Sequence, residues 1–244
     1  YTKFVHTAYI DAMSCLDLDP RDMFAMLNQE SGFQVNVGAW LVKPNNLPAG
    51  WGIAQLTTSA VVEINASKEL AALPGKPACE PVAPFLKTPM SAEPLTGESM
   101  GRLLCDRIRM PENPTKSLIY GGLLYKKYRA QAWGMAKALW PNKKEVGQIT
   151  RELTRYMYNG GVGAVGATFE RYMETRKNPD ESASEFKNNF RDYLRLHYQE
   201  STLENPDDVP ASLVNKRKEI ADYTANIDRT VQSRLQKDAS RCSF

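Results

Sequence analysis

Asp19-Pro20-Arg21-Asp22-Met23-Phe24-Ala25-Met26-Leu27-Asn28-Gln29-Glu30-Ser31-Gly32-Phe33 spells a short helix with both of its ends marked. Asp19 is a capping residue, and Pro20 takes the first helical position, where a missing N–H costs nothing. Asp22 falls in the first turn, at the positive end of the helix dipole. Met23, Met26 and Leu27 share one face by helical spacing, and Gly32 supplies the stop. Glu30 follows Met23 by seven residues, Met26 by four and Leu27 by three, so it lies on the same apolar face. A carboxyl partly buried beside apolar side chains loses hydration in its charged form, which raises its pKa. That is the state a general acid needs near neutral pH. For this stretch alone, a solvated helix-end glutamate is the commoner outcome, and the other segments must decide.

Working outward, nearly the whole chain carries helical periodicity and strand patterns are scarce. Residues 3–16 form a helix ahead of the one at 20–31. A polar loop runs from Gln34 to Gly52, and a further helix follows Thr57 or Thr58 with Val61, Val62, Ile64 and Leu70. Residues 74–95 are proline-rich without a clear period and read as an inserted loop. Met100, Leu103, Leu104 and Ile108 suggest a helix within or just after it. Pro114 opens a long helix through Leu139, which Pro141 ends. Helices follow at about 143–158, 162–177 and 183–199, and a last one from Ala211 to about Lys237. In that last helix Leu213, Ile220 and Ile227 recur by sevens, with Val231 and Leu235 beyond. The stripe fits one long amphipathic helix packed on the body, with a dimer seam as the alternative. The predicted fold class is therefore mainly α.

A chain of 244 residues is long enough to bury a substantial core. No segment approaches the roughly 18 consecutive apolar residues of a membrane span. With a net charge of only +3 and mixed signs, nothing points to nucleic acid as the partner. The four cysteines, Cys15, Cys79, Cys105 and Cys242, show no CxxC spacing, and only His6 and His197 are available as nitrogen ligands. No metal and no other cofactor is therefore expected. The even count suits disulfides in an oxidising compartment, and three pairings are possible. Cys79–Cys105 with Cys15–Cys242 is the preferred set, and four reduced, buried thiols the alternative.

Three further segments complete the pattern. Gly50-Trp51-Gly52-Ile53-Ala54-Gln55-Leu56-Thr57 follows the Glu30 helix, Asn113-Pro114 stands at the start of the long helix, and Tyr158-Asn159-Gly160-Gly161 comes far downstream. Glycines at 50, 52, 160, 161 and 163 let backbone approach a bulky ligand closely, or simply make turns. Together with Glu30-Ser31 and Phe33, and in this order, these segments make the chain similar to the soluble lytic transglycosylases and goose-type lysozymes over roughly residues 15–175.

The resemblance implies a lysozyme-like helical domain over residues 1–180, with the proline-rich insertion at about 74–110. Residues 181–244 would be a C-terminal helical extension packed on the same body. It implies that Glu30 is the catalytic acid, protonating the glycosidic oxygen between N-acetylmuramic acid and N-acetylglucosamine. Glu30 then acts as base toward the muramic acid's own 6-hydroxyl, giving a 1,6-anhydro sugar. By the same resemblance Gln55 binds substrate beside the cleft, and Tyr158 places its hydroxyl close to the catalytic carboxyl. Asn159 supports that turn, and Ser31 packs beneath the glutamate. Gly52, Ile53 and Thr57 are carried over as residues lining the substrate, and Trp51 as one that stacks on a sugar ring or is buried, like Trp40. The departures are a longer loop before Gln55, Ala54 where relatives carry methionine, and Asn46 in place of a usual serine.

Hydrolytic glycosidases normally use two carboxylates. No Asp or Glu lies between Glu30 and Gln55, and Thr57 stands where some hydrolytic relatives have aspartate. The next acid is Glu63, and Asp106 or Glu152 would have to fold back. The expected activity is thus a lytic transglycosylase with peptidoglycan glycan strands as partner. A hydrolytic muramidase, possibly for de-N-acetylated walls, is the alternative, and a non-catalytic glycan-binding protein the third reading. A monomer without a transmembrane segment, periplasmic or secreted after removal of a signal peptide, is the matching expectation.

Overall fold

The structure, a computed structural model, describes residues 2–34, 50, 52–90, 112–140, 143–176, 178, 180–203, 205 and 208–242, with backbone only at 2, 112, 113, 143, 201 and 234–242. It is built from helices, and among the described residues no extended strand occurs. The chain divides into two compact units, Tyr1–Leu124 and Tyr125–Phe244.

In the first unit, α1 (Thr2–Leu16) and α2 (Pro20–Ser31) are joined by a tight corner. Asp17 takes a left-handed φ of 52°, and the Leu18 N–H closes back on the Met13 carbonyl at 3.0 Å. This is the αL stop of a helix, reached without glycine. Asp19 then caps α2 by accepting from the Arg21 N–H, with Pro20 in the first turn. Met23, Met26 and Leu27 are fully buried, as their spacing predicted. The buried Tyr9 of α1 donates its hydroxyl hydrogen bond to the Pro20 carbonyl, fixing the start of α2.

Further along, α3 (Thr58–Asn65) is capped by Thr57 and α4 (Lys68–Ala72) by Ser67. The proline-rich segment that follows is not a plain loop over its described part. Leu73–Gly75 and Pro77–Cys79 are single 3-10 turns, and Ala83–Leu86 forms the short helix α5. Each has proline in its first turn, where it fits without loss of a hydrogen bond. Turns this short show no period, so the sequence reads as a loop although Leu73, Cys79 and Val82 are buried. Cys79 is bonded to Cys15 of α1. This replaces both preferred pairings, because Cys15 and Cys79 are each other's partner. Cys105 and the side chain of Cys242 lie outside the described residues, as does the helix expected around Met100–Ile108. Met90 is pinned by Asn65, whose Nδ2 donates to its carbonyl at 2.8 Å, and by its own N–H donating to the Tyr120 hydroxyl at 3.0 Å.

The long helix α6 (Glu112–Leu139) gives its first half to this unit and its second half to the other. It starts at Glu112, so Pro114 sits in its first turn. At Gly122 a Cβ would lie 2.3 Å from Cδ1 of Leu16, so a side chain there would displace the end of that leucine.

The second unit continues with α7 (Lys143–Gly160), α8 (Val162–Thr175), α9 (Ala183–His197) and α10 (Ala211–Cys242). Ser182 and Glu185 form a reciprocal capping box at the start of α9. The core is aromatic: Trp140, Tyr156, Phe169, Tyr172, Phe186 and Phe190 meet mostly edge to face. Buried Glu181 accepts from the Tyr172 hydroxyl at 2.6 Å and from Asn189 Nδ2 at 3.1 Å, so its charge does not lie unsolvated in that core. α10 packs on α7 and α9, with Ile220 and Ile227 fully buried. Ile220 and Ile227 of the heptad stripe are therefore used within their own unit.

An ion-pair network crosses the three helices. Arg155 of α7 meets Asp228 of α10 at 2.9 Å, and Lys187 of α9 meets both Asp228 and, at 3.3 Å, Glu152. Burial pushes the Asp228 carboxyl up, but the Lys187 hydrogen bond and the Arg155 and Lys187 charges outweigh it. The carboxyl is held below its usual range. A carboxylate lowered in the folded state stabilises the fold above its unfolded pKa of about 3.9 and loses that contribution as pH falls through its folded value. The melting temperature should therefore fall between about pH 5 and pH 2, and Asp228→Asn should flatten that limb. At neutral pH the variant should melt about 2–4 °C lower, equivalent to about 1 kcal/mol after solvent screening. An acid limb identical to that of the unmodified protein would count against the network.

Candidate functional site

The residues singled out in the sequence fall into two clusters, one in each unit. The first is built where α2 stops. Glu30 is half-buried at the end of the helix. Ser31 beside it is buried, and its hydroxyl lies 2.8 Å from the Ile53 carbonyl and 3.3 Å from that of Leu27. With one proton to donate, the shorter contact is the natural recipient. Gly32 then takes φ 60° and Phe33 φ 62°. Glycine adopts this left-handed geometry freely, but a bulky residue does so only under constraint. That constraint is aromatic packing: the Phe33 ring stands edge-on to Tyr9 at 5.6 Å and lies 5.0 Å from Phe24.

The glycine-rich turn docks against the same helix end. Ile53, Ala54 and Leu56 are buried, and the Ala54 N–H donates to the Ser117 hydroxyl of α6 at 3.3 Å. The turn thus hangs between Ser31 on one side and Ser117 on the other. Gly50 cannot carry a side chain, since a Cβ there would fall 2.4 Å from the Gln55 carbonyl oxygen. Gly52 has φ 65°, and Gln55 is itself left-handed at 47°. Gln55 holds that conformation partly with its own side chain, whose Nε2 donates to the Gly52 carbonyl at 2.8 Å. Strained backbone at a polar, half-buried residue is characteristic of ligand-handling turns.

Glu30, Gly52 and Gln55 are thus brought close to one helix end and left half-buried. Ser31 and Ile53 belong to the framework: the Ile53 side chain is wholly buried, and only its backbone takes part in the turn. Thr57 is occupied as the cap of α3, accepting from the Ala60 N–H at 3.2 Å, with the Ser59 hydroxyl at 3.0 Å. Trp51, Trp40, Asn46 and Asp106 lie outside the described residues. Glu63 is half-buried on α3, and Glu152 is engaged by Arg155 and Lys187 in the second unit.

The second cluster is the end of α7. Tyr158 is half-buried with its ring edge-on to Tyr128 at 6.4 Å. Asn159 donates through Nδ2 to Glu219 of α10 at 3.1 Å, while its buried Oδ1 has no donor among the described residues. The helix runs on to Gly160, two residues past the expected end, and breaks at Gly161 with φ 82°. The Gly160 carbonyl accepts from the Tyr198 hydroxyl at 2.5 Å. Burial, with the Glu219 charge adding to it, pushes that hydroxyl up to about 12, so it remains a donor at any ordinary pH.

Sequence reasoning missed Ser117, Tyr198 and Glu219. Their contacts span 63, 38 and 60 residues, and no local pattern marks them. Among the described residues there is no group of three His, Cys, Asp or Glu side chains able to hold a metal, and no helix long and apolar enough to cross a membrane. No protein-family model, curated protein or solved structure matches the chain.

Proposed function

We propose that the chain cleaves the β-1,4 bond between N-acetylmuramic acid and N-acetylglucosamine in peptidoglycan, as a lytic transglycosylase on a lysozyme-like helical fold. One observation carries the reading: the Ser31 hydroxyl bonds the Ile53 carbonyl across 22 residues, drawing the glutamate helix and the glycine-rich turn into one cluster. A helix-end glutamate of no consequence would not need a strained, glycine-dependent turn fastened beside it.

In this mechanism the Glu30 carboxyl gives its proton to the glycosidic oxygen as the bond to the muramic acid C1 breaks. The resulting carboxylate takes the proton of the 6-hydroxyl as that oxygen bonds C1. Glu30 ends protonated, and no water is consumed. Gln55 and the Gly52 backbone bind the sugar. The Cys15–Cys79 bond fits a periplasmic or secreted location, where such bonds persist.

Mass spectrometry of muropeptides released from purified cell walls tests the proposal. Fragments ending in 1,6-anhydro-N-acetylmuramic acid are expected. Reducing ends, heavier by one water, would replace the transglycosylase with a hydrolytic muramidase. Binding without release of fragments would leave a non-catalytic glycan-binding protein.

A further inference from the structure

The second half of α6, which belongs to the second unit, carries charge of one sign only. The 20 residues from Tyr125 to Lys144 include six basic side chains and no acid, in a chain whose totals are 31 basic and 28 acidic. Tyr125, Tyr128, Ala132 and Ala136 form the buried stripe of this half, and the rest of its girth is exposed apart from half-buried Met135. Trp133 lies on the exposed side, with 43 % of its surface accessible. Arg129 precedes it by four residues, Lys137 follows it by four and Lys126 precedes it by seven, the spacings at which side chains share one helical face. All three cations are exposed. Lys126 and Lys137 are about 16 Å apart along the helix axis.

Other cations of this unit face acids. Arg171 meets Glu200 at 3.0 Å, Arg195 meets Asp222 at 2.5 Å and Lys216 meets Glu219 at 2.8 Å. Among the described residues Arg129 and Lys137 take part in no ion pair. A large aromatic side chain set among positive charges is doubly unfavourable in water, through its exposed apolar area and through repulsion between the charges. Both are relieved by a partner that is anionic and has an apolar layer beneath its charge. A bilayer with anionic headgroups has that order, with Trp settling at headgroup level and the Lys and Arg stems reaching the phosphates. The face is convex and made by one helix, so it suits a plane rather than a small anion. Single-stranded nucleic acid calls for a run of aromatic platforms, and this face has one.

We propose that the Arg129–Trp133–Lys137 face of α6, with Lys126, is a docking surface for a phospholipid bilayer that carries anionic headgroups. The contact is peripheral and reversible. The helix lies along the surface, Trp133 enters the headgroup layer, and the cations meet lipid phosphates. At such a surface each Lys or Arg contributes about fivefold in affinity, and salt weakens the attraction by screening it. The face lies wholly in the second unit, and its residues are distinct from those assigned to glycan cleavage.

Co-sedimentation of the full chain with vesicles of phosphatidylcholine, alone or mixed with phosphatidylglycerol, is the test. The chain should pellet with the mixed vesicles, stay in solution with the neutral ones, and be released as salt is raised. Arg129→Gln combined with Lys137→Gln should weaken binding to mixed vesicles about 25-fold, and Trp133→Ala about tenfold. Lys216→Ala should bind like the unmodified chain, because that cation already faces Glu219. Glu30→Gln should do the same, which separates docking from cleavage. Positions 129, 133 and 137 are exposed, and glutamine and alanine are good helix formers, so the variants keep the fold, as melting curves verify. The salt dependence of the unmodified chain needs no variant. Failure to pellet with mixed vesicles overturns the proposal, as does equal binding to neutral ones or full affinity in the double variant or in Trp133→Ala. A chain that ignores both kinds of vesicle but binds soluble teichoic acid, and loses that binding in the double variant, also overturns it and assigns the face to a polymer.

Discussion

Glu30→Gln should abolish release of soluble glycan from purified cell walls, lowering the rate by about 100- to 10,000-fold, the range a positioned general acid contributes. The change replaces a carboxyl by an amide of the same size, so the packing of Met23, Met26 and Leu27 behind it is untouched. The Ser31 to Ile53 hydrogen bond, which belongs to the neighbouring residue, is also retained. What disappears is the proton. An amide cannot protonate the glycosidic oxygen or accept the proton of the 6-hydroxyl, so both halves of the proposed cycle fail together. Melting temperature and wall binding should remain near those of the unmodified protein. Release equal to that of the unmodified chain would remove Glu30 from the chemistry altogether.

Removing the Cys15–Cys79 bond should be the largest stability change. The bond joins residues 64 apart in sequence, and closing a loop of that length restricts the unfolded chain by about 4 kcal/mol in the chain-entropy model. Both partners are buried, so Cys15→Ala with Cys79→Ala also trades two packed sulfurs for smaller groups. The loss falls on the first unit, where the bond fastens the Pro77–Cys79 turn to α1. The denaturant midpoint should drop well below that of the oxidised protein, and reductant should shift the unmodified protein in the same direction. The double variant should be insensitive to reductant. Equal midpoints for the oxidised protein and the variant would mean that the bond contributes nothing.

What the sequence makes legible is what neighbouring residues decide among themselves. The α2 helix is readable to the residue because Asp19, Pro20 and Gly32 specify its two ends locally. The turn at residues 50–56 is readable because its glycines answer to backbone geometry: Gly50 faces the Gln55 carbonyl, and Gly52 is left-handed. The cysteine pairing is not readable in this way. Cys79 is nearer in sequence to Cys105 than to Cys15, and only the docking of the Pro77–Cys79 turn on α1 brings the bonded pair together. The same holds for Thr57. Its position suggests a residue facing substrate, yet its hydroxyl accepts a backbone N–H at the start of α3, which any threonine preceding a helix can do. Tyr198 and Glu219 sit in segments whose local pattern announces only helices. Tyr198 reaches the Gly160 carbonyl and Glu219 the Asn159 side chain, 38 and 60 residues away.

The aromatic core of the second unit has a consequence for how the protein is made. Phe169 and Tyr172 of α8 and Tyr156 of α7 find their ring partners in Phe186 and Phe190 of α9. Until α9 has emerged from the ribosome, those rings lack their Phe186 and Phe190 partners, and a nascent chain carrying α7 and α8 without α9 displays a sticky aromatic surface. The first unit, by contrast, ends at residue 124, and both cysteines of its described disulfide precede that point. Domains fold as units during synthesis, earlier ones first, and exposed apolar surface is where aggregation starts. The vulnerable interval in the biosynthesis of this chain therefore falls between the appearance of α8 and the arrival of α9 and α10.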